Sequence, residues 1–306
     1  MLTFRRPEGL AKALDSLLDV AEAVGEDIGL AEIIVIDNDP DGSARSMVES
    51  DYPSLVRYVH EPTPGVSAAR NRALDEASTN RLVFIDDDEH AGPDWPSALL
   101  RVMDLTGAAL VGGPVRSILP ASAPGWARTV DVFNREEPPD EAQLDWLRSG
   151  NLAIDLGLIR PAGLRFEEAF GSTGGEDVRF SVQAKRAGLD LRWSADAVVY
   201  EDVPASRITT DWVESRAEAA MSNYVRANAP VGFISVLRGL LVACGRAITG
   251  SAGRIVGSMI GNQERELEGR VAHAKARGAW HGITAALSEE RARRDTQTVS
   301  SEADAR

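Results

Sequence analysis

The chain has 306 residues, 43% of them apolar and 26% charged, with a formal net charge of −14. That length buries one large α/β core or two modest ones, and the acidic balance, with no basic stripe interleaved with aromatics, argues against a nucleic-acid partner. The single Cys244 excludes an intramolecular disulfide, and no basic segment followed by an apolar run opens the chain as a signal peptide would, so a cytoplasmic location is expected.

Leu10, Leu14, Leu17 and Leu18 recur at helical spacing after Pro7, and residues 33–36 form a short apolar run ending in Asp37, which predicts a helix and then a buried strand. The pattern repeats as a strand over 55–59, a helix over 66–77, a strand over 82–85 and a helix over 96–103, followed by the apolar run 108–111. Such alternation is that of an α/β fold with a mostly parallel, Rossmann-like central sheet flanked by helices. Acids closing the strands then mark a crevice at the carboxyl edge of the sheet, where open α/β sheets bind ligands. Residues 117–143, rich in Pro, Ala and Glu, read as a long loop region. Regular pattern resumes with 151–154, a helix near 156–160, a glycine turn at 171–175, a helix over 176–187 and a strand at 197–200.

Past Trp212 the chain reads as helical. Residues 231–260 are apolar but interrupted by Arg238, Arg246, Arg254 and glycines, which suits an interfacial or packed hairpin better than a membrane span. Residues 263–294 read as a charged helix and the last dozen as disordered. The expected division is a catalytic domain over 1–216, with a nucleotide half to about 115 and an acceptor half after it. A helical extension over 217–294 and a tail over 295–306 follow.

The strongest chemical signal is Phe84-Ile85-Asp86-Asp87-Asp88, a buried strand running into three acids. Carboxylates packed together are unfavourable unless a cation or proton neutralises them, which suggests a hard-metal site; a solvated turn or a helix cap is the competing use. A net acidic protein can bind a nucleoside diphosphate in this way, with a divalent cation between carboxylates and phosphates. Asp37 suits a nucleobase or ribose, and equally a turn with Asp39, Asp41 and Gly42. Arg70, near a helix start, suits a phosphate or base, and equally an ordinary ion pair. Gly174-Gly175-Glu176-Asp177 delivers two acids to the first turn of a helix, either as working groups or as complements to its dipole.

Five segments in order resemble the family 2 glycosyltransferases: Thr3-Phe4-Arg5-Arg6-Pro7; Ile34-Val35-Ile36-Asp37-Asn38; Gly65-Val66-Ser67-Ala68-Ala69-Arg70-Asn71; the Asp triplet followed by Gly92-Pro93-Asp94-Trp95; and Gly174-Gly175-Glu176-Asp177. The resemblance covers about Thr3 to Arg216 and implies a GT-A fold carrying an inverting transferase, similar to bacterial exopolysaccharide-type members. It implies a nucleotide-diphosphate sugar donor, most simply a UDP-sugar, a saccharide or lipid-linked acceptor, and Mg²⁺ or Mn²⁺. By this resemblance Thr3, Arg5, Asp37, Arg70, Asp86, Asp87 and Arg207 bind the nucleotide sugar. Asp88, with Asp86 and Glu201, holds the metal; Asp177 is the general base beside Glu176; and Asn151, Gly174 and Gly175 contact the acceptor.

The chain departs from the family in two places. Glu201 follows Val198-Val199-Tyr200 where a histidine is usual, and it suits either a metal ligand or a solvated loop acid. Only Met1 and Leu2 precede Thr3, so most of the first strand is expected to be missing, either because the start lies upstream or, if the chain is complete, with a weakened nucleotide edge of the sheet. Arg207 suits the diphosphate or a structural role, and Asn151 the site or a turn. His60, His90, His273 and His281 lack metal-ligand spacing and are expected to be structural, and Trp126 and Trp146 suit sugar stacking or core packing. A carboxylate-pair hydrolase and a degenerate sugar-nucleotide-binding scaffold are the rival readings. The helical extension is expected to lie peripherally at the inner face of the membrane.

Overall fold

The computed structural model describes residues 1–24, 32–135, 137–171, 173–228, 245, 250–251, 255 and 263–304. The chain divides into two compact units, Met1–Leu119 with Asn134–Val203, and Pro120–Phe133 with Pro204–Arg306.

In the first unit, β1 (Leu2–Thr3), β2 (Ile33–Asp37) and β3 (Val56–His60) pair in parallel in the order β1-β2-β3. A second ladder has the order β4-β8-β6-β9, from β4 (Arg81–Ile85), β6 (Leu110–Gly112), β8 (Asn151–Asp155) and β9 (Leu191–Trp193); β8 runs antiparallel to both neighbours and β9 parallel to β6. A parallel bridge from Leu2 to Asp86 joins the two ladders, so Thr3, Asp37 and Asp86 stand along one carboxyl edge. A small third sheet sets β10 (Val199–Asp202) between β5 (Glu89–Ala91), antiparallel, and β7 (Val115–Ile118), parallel.

The period-2 geometry of a strand explains the core. Ile33 and Val35 of β2 join one buried cluster and Ile34 and Ile36 the other; Ala153 of β8 joins the first, Leu152 and Ile154 the second. Against the first face pack Leu10, Leu14 and Leu17 of α1 (Pro7–Val24), Val48 of α2 (Arg45–Asp51), and Leu99, Val102 and Met103 of α4 (Trp95–Thr106). Against the second pack Ala69, Ala73 and Leu74 of α3 (Val66–Glu76), Leu156 and Ile159 of α5 (Leu156–Ile159), and Phe180 and Ala184 of α6 (Glu176–Arg186). Helices thus cover both faces, as parallel strands require. Trp95-Pro96 opens α4, where proline's fixed φ suits a first turn, and Gly107 ends it at φ 69°. Among its described residues the expected loop over 117–143 holds the end of β7, a 3-10 turn at Gly125–Arg128 and an isolated bridge from Gln143 to Arg192.

The second unit pairs α7 (Thr210–Asn228) with α8 (Gln263–Asp304). A Cβ on Gly278 or Gly282 would fall 2.1 or 2.5 Å from the carbonyl oxygens of Glu218 and Ser222, so the two backbones approach more closely than any larger residue permits. Arg270–Asp211 (2.9 Å) and Arg277–Glu218 (2.7 Å) tie the pair on its surface. The expected apolar hairpin over 231–260 lies outside the described residues, apart from isolated positions. Residues 295–304, read as a tail, continue α8. Among the described residues no helix is long and apolar enough to cross a membrane.

Candidate active site

The Asp triplet sits where β4 leaves the sheet, and its three side chains take different surroundings. Asp87, 8% exposed, accepts from the Thr3 hydroxyl at 2.8 Å and from Arg6 at 3.1 Å. Thr3 and Asp87, expected on the nucleotide, are therefore spent on each other and join β1 to the turn. Asp88 is bonded to Arg6 at 3.0 Å and keeps 31% of its side chain exposed; Asp86 keeps 42%;. Those two carboxylates are more exposed than the middle one.

Arg70 lies on α3 with 7% of its side chain exposed, its guanidinium 5.6 Å from the centre of the Phe166 ring. Its Nη1 donates to Glu176 Oε1, equally enclosed, and its Nη2 lies 4.0 Å from Asp86. Arg70 and Glu176 thus form a buried ion pair, the role that the sequence left open for Arg70 beside a phosphate or base contact. Among the described residues neither Arg70 Nε nor Glu176 Oε2, both buried, has a hydrogen-bond partner. The charges of Asp86 and Asp177 also act on this guanidinium. Acids of the two constellations therefore meet at one cation. Burial, reinforced by Asp88, Asp87 and Asp177 and opposed by Arg70, raises the Asp86 carboxyl to about 6.

Asp177 is half-buried in the first turn of α6, and its Oδ1 accepts the Val178 N–H at 2.7 Å. Gly174 (φ 80°) and Gly175 (φ 90°) lead into that turn through left-handed backbone that other residues adopt only under strain. The acids stand at the end of the helix where free N–H groups favour negative charge.

Other expected site residues are engaged with protein partners. Asp37 is wholly enclosed and accepts from the N–H groups of Asp39 (3.0 Å) and Ala44 (2.8 Å) and from the Tyr58 hydroxyl (3.1 Å). It builds the turn after β2 and presents no free face to a nucleobase. Arg5 forks onto Asp39 at 3.0 and 2.9 Å and reaches Asp41, from left-handed backbone at φ 54°. Its guanidinium holds the Asp39 carboxyl down at about 2. Asn151, expected on the acceptor, is a buried bracket: Oδ1 accepts from Trp95 Nε1 at 2.8 Å while Nδ2 donates to the carbonyls of Pro114 (3.0 Å) and Ala197 (2.6 Å). Arg207 belongs to the second unit, in a 3-10 turn with its guanidinium 5.7 Å from the Trp212 ring centre. His60 bonds the Asp39 carbonyl at 2.8 Å and His90 stacks on Tyr200, in keeping with structural roles.

Glu89 is a site acid that the sequence reading passed over. It is 5% exposed, lies directly opposite Glu201 across β5 and β10, and accepts the Asp86 N–H at 3.1 Å. Burial, with the charges of Asp86, Asp88 and Glu201, pushes its carboxyl well above the usual range. Its only sequence mark was its place directly after the triplet.

Among the described residues no three acids, histidines or cysteines are grouped as a complete metal cage. Mg²⁺ in phosphate-binding sites takes one or two carboxylates and completes its shell with phosphate oxygens and water, and the more exposed Asp86 and Asp88 fit that pattern. Their oxygen donors suit a hard cation.

A two-faced α/β sheet with partly exposed carboxylates at its carboxyl edge, and an acid-bearing helix start beside them, defines a GT-A glycosyltransferase. The chain belongs to glycosyl transferase family 2, whose model matches residues 1–154; the helix bearing Glu176 and Asp177 follows that stretch. It is 37% identical over 217 residues to the succinoglycan biosynthesis protein ExoM of Rhizobium meliloti (strain 1021), covering 70% of this chain and 69% of the relative. It is 27% identical over 195 residues to a pre-mycofactocin glycosyltransferase of Mycobacterium tuberculosis, covering 60% of this chain and 40% of the relative. Among solved structures it resembles GalNAc-T7, crystallised with UDP, GalNAc and Mn²⁺, at a TM-score of 0.55 and 15% identity; the likeness covers 74% of this chain and 46% of that one and bears on the fold.

Proposed function

We propose that this glycosyltransferase moves a sugar from a nucleoside-diphosphate donor, a UDP-sugar, to a hydroxyl of a saccharide or lipid-linked acceptor with inversion at the anomeric carbon, assisted by Mg²⁺ or Mn²⁺. The observation that carries the proposal is the meeting of the Asp86 turn and the Glu176–Asp177 turn at the Arg70 guanidinium, which sets a cation-binding edge beside a candidate base. The resemblance to ExoM supports a polysaccharide-building role, and the UDP and Mn²⁺ named with GalNAc-T7 support the donor and ion classes.

In this reading Asp88, with Asp86, would hold the divalent ion, and Glu201, opposite Glu89 across β5 and β10 and close enough for its charge to act on that acid, would lie behind them. When bound, the ion neutralises the diphosphate and the charge developing on it as it leaves. Asp177 takes the proton of the acceptor hydroxyl. The hydroxyl oxygen forms its bond to the anomeric carbon on the face opposite the departing diphosphate oxygen, whose bond to that carbon breaks, so nucleoside diphosphate leaves with the electron pair. The Arg70–Glu176 pair holds the first turn of α6 in register with the strand end.

Incubation with a panel of nucleotide sugars and oligosaccharide acceptors, with Mn²⁺ or with chelator, tests this. Nucleoside diphosphate release that needs the ion and the acceptor, and a product of opposite anomeric configuration by NMR, are expected. Tight donor binding without turnover across the panel would favour the scaffold reading, and a product of retained configuration would remove Asp177 from its role.

A further inference from the structure

We infer that Glu89 is a positioning residue that fixes the Asp86–Asp88 turn in the conformation that binds the donor diphosphate. The inference rests on the function proposed above.

The turn is closed twice by the same residue. The Glu89 N–H donates to the Asp86 carbonyl at 3.2 Å, and Glu89 Oε2 reaches back to accept the Asp86 N–H at 3.1 Å. The reciprocity fixes both ends of a four-residue segment, much as a capping box fixes a helix start. Glu89 is itself anchored by β5, whose register places it opposite Glu201, with His90 stacked on Tyr200 in the next pair at 5.5 Å between ring centres.

The turn that enters β8 is shaped to admit this arrangement. A Cβ on Gly150 would lie 2.7 Å from Glu89 Oε1 and 3.0 Å from Asp86 Oδ2, so the two carboxylates lie over a residue without a side chain. An enclosed carboxylate beside Asp86, Asp88 and Glu201 is costly, and an apolar residue would pack there at less cost. What the acid supplies that an apolar residue does not is a strong acceptor for a backbone N–H at the strand end. Loss of that acceptor frees the segment bearing the two more exposed carboxylates, and a loosened segment binds its ligand more weakly.

The test compares Glu89→Ala with Glu89→Gln in the full chain, because the amide keeps an acceptor for the Asp86 N–H and discards the charge. Binding of UDP with Mn²⁺ is expected to weaken about tenfold in Glu89→Ala and to stay within about threefold of wild type in Glu89→Gln. Donor KM is expected to rise more than kcat falls, and exchange of the residue 86 amide to quicken about tenfold in the alanine variant alone. If Glu89→Ala does not fold, Glu89→Asp, one methylene short of the amide, replaces it with the same expectations. Glutamine binding as poorly as alanine would make Glu89 a charge-bearing ligand and overturn the inference, as would an unchanged residue 86 amide in the alanine variant. Failure of the wild type to bind UDP with Mn²⁺ would instead count against the proposed function, while the exchange comparison would still decide the clamp.

Discussion

Replacing Arg70 by methionine removes the guanidinium that Glu176 holds and leaves most of the stem to pack beside Phe166. Both partners are 7% exposed, so the stranded Glu176 carboxylate has little access to water. Removing one member of a buried ion pair typically costs about 3–5 kcal/mol. Against a total domain stability of about 5–15 kcal/mol that is a large share. At roughly 2–4 °C per kcal/mol for a domain of this size, melting should fall by on the order of 10 °C. Adding Glu176→Leu should recover much of the loss, since an apolar pair of similar volume often replaces a buried ion pair at no cost. The assay is thermal unfolding of wild type, both single variants and the double variant at one pH and salt. A melting point for Arg70→Met within about 2 °C of wild type, or a double variant no better than the worse single, would refute the view that this pair is enclosed and mutually dependent.

Asn151→Ala deletes the bracket holding Trp95, Pro114 and Ala197 and should cost about 2–4 kcal/mol, read as a lower denaturation midpoint; an unchanged midpoint would argue that water replaces the side chain. Gly150→Ala sets a methyl group against Glu89 and Asp86 and should weaken Mn²⁺-dependent UDP binding more than it lowers the melting point, whereas a purely global loss of stability would speak against a local effect. Asp86 gives a pH dependence whose sign is fixed. Its folded pKa, about 6, exceeds its ordinary value of 3.8, so between those values the folded state holds more of this proton than the unfolded one. Its contribution to stability accordingly falls as pH rises from about 4 to about 6 and is level above that. Its side chain is 42% exposed, and solvent screens part of the penalty. Because a divalent ion competes with that proton, the rise in melting point on adding Mn²⁺ should be larger at pH 7 than at pH 5; an equal or larger rise at pH 5 would remove Asp86 from the cation site.

The order of strands and helices was legible because each is an apolar run of the right period ending in a turn residue. The runs at 33–36 and 82–85 end in Asp37 and Asp86, and both acids do stand at the carboxyl edge. Shorter elements escaped notice. α2 buries only Val48, and β5 and β9 have three residues each, too few for a period to show. The acids were easy to find, but their uses were set by partners distant in the chain. Nothing local to Asp87 announces that Thr3 and Arg6 fill its valence, and nothing local to Arg70 announces Glu176, 106 residues further on. The resemblance sets Asn151 against the acceptor, while its amide faces the carbonyls of Pro114 and Ala197. Glu89 lay next to the triplet, but its importance comes from a backbone N–H and a cross-strand register that residue types do not encode.

In the proposed reaction Asp177 acts as the base while the donor is bound at Asp86 and Asp88. Measuring kcat and donor affinity together for Asp177→Asn decides this, since the amide keeps the shape and loses the proton-accepting charge. A fall in kcat of at least about a thousandfold, with UDP-sugar affinity within about threefold of wild type, is expected. Transfer at a rate near wild type, or a loss confined to donor binding, would contradict that role.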